Sequence, residues 1–80
     1  MTEIASRTKL IRGINTQYKL CKENENSYEM GISRGLNNGT LLYNGDFFDA
    51  VALFKTMCET DTLPENLEDI AEDIKNFVTV

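Results

Sequence analysis

The stretch "YEMGISRGLNNGTLLYNGDFFD", residues 28–49, carries the signals for strands, a chain reversal and the start of a helix. Tyr28, Met30 and Ile32 alternate with polar or small residues, which is the period-two pattern of a half-buried strand. The run "NNG" at 37–39 predicts a hairpin turn, because Asn and Gly tolerate the positive φ that tight turns require. The stretch therefore predicts antiparallel strands followed by a helix.

The flanking residues extend this sheet. Alternation over residues 8–22 predicts one strand, in which Gly13 marks a bulge or a bend. The polar run at 23–27 predicts the turn that follows, and residues 40–43 predict a short third strand. Residues 1–7 are expected to be a loose lead-in or a frayed strand. The product is a three-stranded antiparallel meander with one covered face.

A first helix is predicted over residues 46–59, with Asp46 as its N-cap. Asp49 adds favourable negative charge near the helix start. The apolar residues of this helix form a broad stripe that we expect in the core. They are Phe47, Phe48, Val51, Ala52, Leu53, Phe54, Met57 and Cys58.

A second helix is predicted over residues 64–78, with Pro64 in its first turn, where the missing N–H costs nothing. Apolar residues follow at spacings of three and four, at Leu67, Ile70, Ala71, Ile74, Phe77 and Val78. The chain, residues 1–80, is expected to form a single α+β domain. In this domain a three-stranded antiparallel sheet precedes two C-terminal α-helices that pack on one face.

Charge separates the two halves of the chain. The net charge is −5, from 8 basic and 13 acidic residues. Residues 1–34 hold 6 Lys/Arg and 4 Asp/Glu, whereas residues 35–80 hold 2 and 9. Direct binding of nucleic acid requires basic residues that neutralise phosphates, so the overall balance disfavours it. Bases stacking on the tyrosines of the sheet is disfavoured for the same reason.

Several kinds of chemistry lack their usual residues. The chain has no histidine, and its serines have no candidate base in a familiar arrangement. We therefore expect no enzymatic activity, no cofactor and no metal site. Cys21 and Cys58 lie within apolar patterns, which favours buried thiols over a disulfide. No apolar run is long enough to span a membrane and no signal peptide is evident, so we expect a cytoplasmic protein.

The second predicted helix carries a group of carboxylates, which we call the acidic face. Its residues are Glu65, Glu68, Asp69, Glu72 and Asp73. Several are like-charged neighbours at i, i+4, each pair costing about 0.2–0.5 kcal/mol. Carboxylates in the first turn are favoured by the helix dipole, but Glu72 and Asp73 lie beyond it. The face is either a solvated surface that keeps the protein soluble or the contact for a basic partner protein.

The sequence is also consistent with two other contact surfaces. If the acidic face is only solvated, the contact is expected on the open side of the sheet, around Tyr28, Arg34 and Tyr43. The apolar character of the first helix is also compatible with a homodimer.

From Tyr18 onward, the chain resembles a family of short uncharacterised bacterial proteins, mostly from Clostridia and their relatives. The segments that carry the resemblance are "YKLCKE", "YEMGIS", "DAVALFKTM" and "TLPENLEDIAEDIKNF". They form the fold and carry no chemistry, so the resemblance implies a fold and a bacterial origin.

In size, acidity and expected architecture the chain is also similar to small phage-encoded inhibitors, the anti-CRISPR proteins. That similarity implies an inhibitor, encoded by a phage or mobile element, of a basic nucleic-acid-binding partner. The alternative is a bacterial regulatory or structural domain.

Overall fold

The computed structural model describes residues 2–70 and residue 72. Four antiparallel strands form one sheet in the order β1-β2-β3-β4, so each strand pairs with the next one along the chain. The strands are β1 (Thr2–Ile11), β2 (Ile14–Asn24), β3 (Ser27–Arg34) and β4 (Asn37–Asn44). The α+β class and the antiparallel sheet are confirmed, but the prediction of three strands is wrong.

The extra strand arises from a turn at Arg12 and Gly13. Both residues have positive φ, 51° and 80°, as a two-residue type I′ hairpin requires. Ile11 therefore pairs with Ile14, and the strand predicted over residues 8–22 is two strands. Arginine rarely adopts positive φ, which is why the pattern suggested only a bend.

Residues 2–7 belong to a strand, which was one of the two expectations for the N-terminal residues, and are not a loose lead-in. β1 begins at Thr2, which pairs with Lys22, and pairing with β2 continues to the turn, with one bulge between Glu3 and Ala5.

The turn between β3 and β4 also lies at a different position from the one predicted. Arg34 pairs with Asn37, so the two turn residues are Gly35 and Leu36, and "NNG" lies within β4. Gly35 has a φ of 60° at the first central position, which is characteristic of a type II′ turn. Glycine at that position determines the register, and β4 is correspondingly longer than predicted.

Helix α1 (Phe47–Glu59) follows the sheet directly. The predicted N-cap is confirmed, because the Asp46 carboxylate accepts a hydrogen bond of 2.8 Å from the Asp49 backbone N–H. After a short connection, Pro64–Asn66 form a 3₁₀ turn, and residues 67–70 and 72 are helical. We call residues 64–70 and 72 the C-terminal helical segment; the rest of the helix predicted to residue 78 lies outside the described residues.

One face of the sheet is covered and the other is open. The covered face contributes Tyr18, Leu20, Tyr28, Met30 and Ile32 to the core, and α1 contributes Ala50, Phe54, Met57 and Cys58. Exposed polar side chains, including those of Gln17 and Lys19, alternate with the buried ones along β2. The period-two pattern of the sequence therefore describes this sheet well.

The expectation that Phe47 and Phe48 are core residues is wrong. Phe48 is 81% exposed and Phe47 is 44% exposed. At about 100° per residue, Phe48 lies about 200° around the helix from buried Ala50, so it points away from the sheet. Phe47 lies at the end of the sheet, where its ring packs against Tyr28 with centroids 6.3 Å apart.

A buried hydrogen bond joins the sheet to the connection after α1. The Tyr18 hydroxyl donates to the Thr62 carbonyl at 2.8 Å, and both residues are buried. This bond gives a buried backbone acceptor its partner, so it positions the chain that leads into the C-terminal helical segment.

Replacing Tyr18 with Phe leaves the Thr62 carbonyl without this partner. We expect the free energy of unfolding, measured by urea titration, to fall by about 1–3 kcal/mol. Tyr28→Phe is the matched control, because Tyr28 is equally buried and its hydroxyl bonds to none of the described residues. Equal losses in the two variants would contradict the assigned role of the Tyr18 hydroxyl.

Burial, and next the charge of Asp61, raise the pKa of Tyr18 above its ordinary value of 10.0, while Arg34 opposes them. The folded state holds this proton more tightly, so the stabilisation is complete below about pH 10 and is lost as the pH rises further. We expect Tyr18→Phe to flatten the fall in unfolding free energy between about pH 9 and about pH 11. Tyr43 and Cys58, whose pKa values burial also raises, leave a residual slope. Identical slopes in urea titrations would contradict this prediction.

Candidate functional site

Four residues of the predicted acidic face lie in the C-terminal helical segment and are exposed. Glu65 lies in the 3₁₀ turn, and Glu68, Asp69 and Glu72 follow at helical positions. Asp73 lies outside the described residues. The four carboxylates extend from the first turn into the helix, as the spacing predicted.

Local contacts fix where this segment begins. The Asn66 side chain accepts a hydrogen bond of 3.1 Å from the Leu63 backbone N–H, and the Asn66 N–H donates back to the Leu63 carbonyl at 2.9 Å. Leu67 is buried against the sheet directly above Gly39 of β4. A β-carbon on Gly39 would lie only 2.8 Å from the Leu67 Cδ1 atom, so glycine permits this close approach.

A groove runs between β4 and the C-terminal helical segment. Its volume is about 440 Å³, and its lining residues are Asn38, Gly39, Thr40, Leu41, Pro64, Glu65, Leu67 and Glu68. A second depression of about 680 Å³ adjoins it toward the β3–β4 turn. Two residues of the acidic face therefore form one wall of the groove, and the outer strand of the sheet forms the other.

The ion pairs of the described residues lie elsewhere. Lys9 on β1 pairs with Asp61, and its Nζ donates to the Cys58 carbonyl at 2.8 Å, so it joins β1 to the end of α1. Lys19 lies 3.8 Å from Glu3 on the open side of the sheet. Neither pair includes Glu65, Glu68, Asp69 or Glu72, so within the described part of the chain no cation neutralises the acidic face.

Arg34, Tyr28 and Tyr43 do not form a surface on the open side of the sheet. Tyr28 is buried on the covered face, and Tyr43 lies half-buried on the same face. Arg34 is half-buried, and its Nη2 makes a long hydrogen bond of 3.4 Å to the Ile11 carbonyl. The alternative contact surface expected there is therefore wrong, because alternation places all three side chains on the covered face.

The structure also reveals a patch that the sequence did not predict, which we call the aromatic patch. It consists of Phe47 and Phe48, whose rings meet edge to face with centroids 5.8 Å apart. Asp46 and Asp49 lie beside it at the start of α1. A helical wheel of residues 46–59 could have identified Phe48 as exposed, but the apolar stripe is so broad that it included Phe48.

The two cysteines, Cys21 and Cys58, are both free and are not joined in a disulfide. Burial raises the pKa of the Cys58 thiol, which disfavours the nucleophilic thiolate form. Over residues 2–70 and 72, no three His, Cys, Asp or Glu side chains are grouped as a metal ion would need. No helix in this part of the chain is long and apolar enough to cross a membrane.

Comparison with known proteins gives no match. No protein-family model, no curated protein and no solved structure matches this chain.

The close approach at Gly39 yields a test of how the groove is built. Gly39→Ala places a β-carbon 2.8 Å from Leu67 Cδ1 and 3.0 Å from the Pro64 carbonyl oxygen. We expect a loss of about 1–3 kcal/mol in unfolding free energy and faster amide hydrogen exchange in the C-terminal helical segment.

Gly31→Ala is the control on the neighbouring strand, because its β-carbon would meet nothing closer than 3.9 Å. It should be neutral or stabilising by about 0.4–1 kcal/mol, since alanine reduces the entropy of the unfolded chain. If both variants behave alike, Leu67 does not anchor the segment through Gly39.

Proposed function

We propose that this protein is a small cytoplasmic interaction domain without catalytic activity, and that its acidic face binds a basic surface on a partner protein. The observation that carries the proposal is the set of four exposed carboxylates at Glu65, Glu68, Asp69 and Glu72 on one helical segment. No described cation lies in an ion pair with them.

The energetics of the segment support binding over simple solvation. Glu68–Glu72 is a like-charged i, i+4 pair in the α-helical part of the segment and costs about 0.2–0.5 kcal/mol, and Glu65 adds a further carboxylate in the 3₁₀ turn. The positive end of the helix compensates for the carboxylates of the first turn but not for Glu72. A basic partner would remove the repulsion, and the negative field would also speed its approach.

A basic surface built for nucleic acid is the partner class that fits best. Carboxylates spaced along a helix can occupy such a surface in place of phosphates, while the net charge of −5 keeps this chain from binding nucleic acid itself. We therefore propose an inhibitor of a nucleic-acid-binding protein, of the anti-CRISPR type and encoded by a phage or mobile element. The bacterial setting is likewise a proposal, which follows from the resemblance of sequence segments alone.

A second candidate function is that of a homodimeric regulatory or structural domain. The observation that favours it is the aromatic patch, because Phe48 is 81% exposed and Phe47 is 44% exposed. Aromatic residues are enriched at the centres of protein interfaces. Light scattering at micromolar concentration distinguishes the two candidates, since a dimer that Phe48→Ser dissociates would support the second.

The acidic face is tested by neutralising it without changing its shape. The partner is first captured from the native cell and identified, and association rates are then measured by surface plasmon resonance. We expect the triple variant Glu65→Gln, Glu68→Gln, Glu72→Gln to associate about ten-fold more slowly. Binding of the unmodified protein should weaken as salt rises above about 0.15 M.

The matched control is the triple variant Glu23→Gln, Glu25→Gln, Glu59→Gln, which changes the net charge equally at exposed positions outside the acidic face. It should have a much smaller effect on the association rate. If both triple variants bind with unchanged rate and salt dependence, the acidic face is only solvated.

A further inference from the structure

The two edges of the sheet are protected to different degrees. β1 carries Arg7, Lys9 and Glu3, and a bulge interrupts its pairing between Glu3 and Ala5. β4, with the sequence "NNGTLLYN", has no charged residue and no proline, and it pairs with β3 in unbroken register. Charges, proline and bulges are the usual protection against an added strand. β4 has none of the three.

The outer side of β4 presents backbone hydrogen-bonding groups. Arg34 and Asn37 flank the two-residue turn and so form a hydrogen-bonded pair. Because such pairs alternate in an antiparallel ladder, the N–H and C=O groups of Asn38, Thr40 and Leu42 point away from β3. Among the described residues, none of these groups bonds to backbone outside the sheet.

The groove beside this edge selects the charge of whatever binds there. Glu65 and Glu68 line it on the side of the C-terminal helical segment, opposite the residues of β4. The side chains of an added strand alternate between the two faces of the sheet. Every second side chain would therefore point toward the glutamates, where lysine or arginine is complementary and aspartate or glutamate is repelled.

We propose that the outer edge of β4 docks an extended basic segment of the partner protein, which adds to the sheet as a fifth strand. Backbone hydrogen bonds to Asn38, Thr40 and Leu42 hold this segment, and Glu65 and Glu68 select its basic side chains. This inference rests on the proposed function, because it specifies how the basic partner binds. The exposed Leu36 at the turn offers an apolar contact at one end.

The test uses synthetic peptides, so it does not depend on identifying the partner. The probe is an acetylated and amidated peptide of about eight residues, the length of β4, that alternates lysine with valine or threonine. Binding is followed by NMR shifts and by hydrogen exchange of the protein's backbone amides. We expect the amides of Asn38, Thr40 and Leu42 to exchange at least about ten-fold more slowly when the peptide is bound.

Three matched peptides isolate the separate interactions. A peptide methylated on alternate backbone nitrogens on its pairing side cannot donate to β4, and it should bind about ten-fold more weakly or not at all. A peptide with glutamate in place of lysine should not bind. A proline-interrupted peptide of the same charge should not protect the three amides.

A variant of β4 tests the same contact from the protein side. Thr40→Pro removes one outward N–H at an edge position, where proline is tolerated, and should abolish protection by the basic peptide. Thr40→Val keeps the N–H and should bind as the unmodified protein does. If Thr40→Pro fails to fold, the methylated peptide still decides the question, because it leaves the protein unchanged.

The outcomes separate this inference from the proposed function. If the basic peptide shifts the NMR signals of Glu65, Glu68 and Glu72 without protecting the β4 amides from exchange, the acidic face binds cations and the strand docking is wrong. If neither the face nor the edge responds to the basic peptide while the acidic-face variant loses the native partner, only the strand docking is wrong. If the β4 amides are already protected in the free monomer, or only in a dimer, this chain itself occupies the edge and the proposal fails.

Discussion

The hydrogen bond between the Tyr18 hydroxyl and the Thr62 carbonyl is the constraint on which the described architecture depends. The sheet has one apolar face, and α1 covers only part of it, so the chain after α1 must return across the sheet. That return exposes backbone acceptors to the core, where an unpaired carbonyl costs about 1–3 kcal/mol. A tyrosine in the central strand β2 supplies the donor, and the segment beginning at Pro64 is thereby placed beside β4.

The position of this segment also explains how the candidate site is built. Leu67 packs above Gly39, and the close approach brings Glu65 and Glu68 alongside the outer strand of the sheet. Helical spacing places the carboxylates on one face of the segment. The packing of Leu67 above Gly39 then brings that face next to the edge of β4. The candidate site therefore combines carboxylates with backbone groups of β4 that bond to no other described backbone outside the sheet. In the proposed mode of binding, charge would speed association and select the partner, and backbone hydrogen bonds would hold it.

Much of the fold was predictable from local pattern, and the errors have specific causes. The N-cap at Asp46, the α1 bounds and the alternation of β2 and β3 depend on neighbouring residues only, so the sequence revealed them. The prediction missed one strand because the turn between β1 and β2 requires a positive φ at Arg12, a conformation that this residue type disfavours. The position of the β3–β4 turn depended on a choice between Gly35 and "NNG", and cross-strand pairing decided it.

The candidate site was predictable only in part, for a related reason. Helical spacing identified the four described carboxylates, but the groove joins residues more than twenty positions apart, and no periodicity encodes that contact. Predicting that β4 is an edge strand also required the strand order, because "NNGTLLYN" lies at an edge only where no further strand pairs with it. β1, at the other edge of the sheet, carries charged residues and a bulge, which disfavour pairing with a further strand. An uncharged, regular β4 beside a wall of glutamates is therefore more consistent with an edge kept available for a basic strand than with one left exposed without a use.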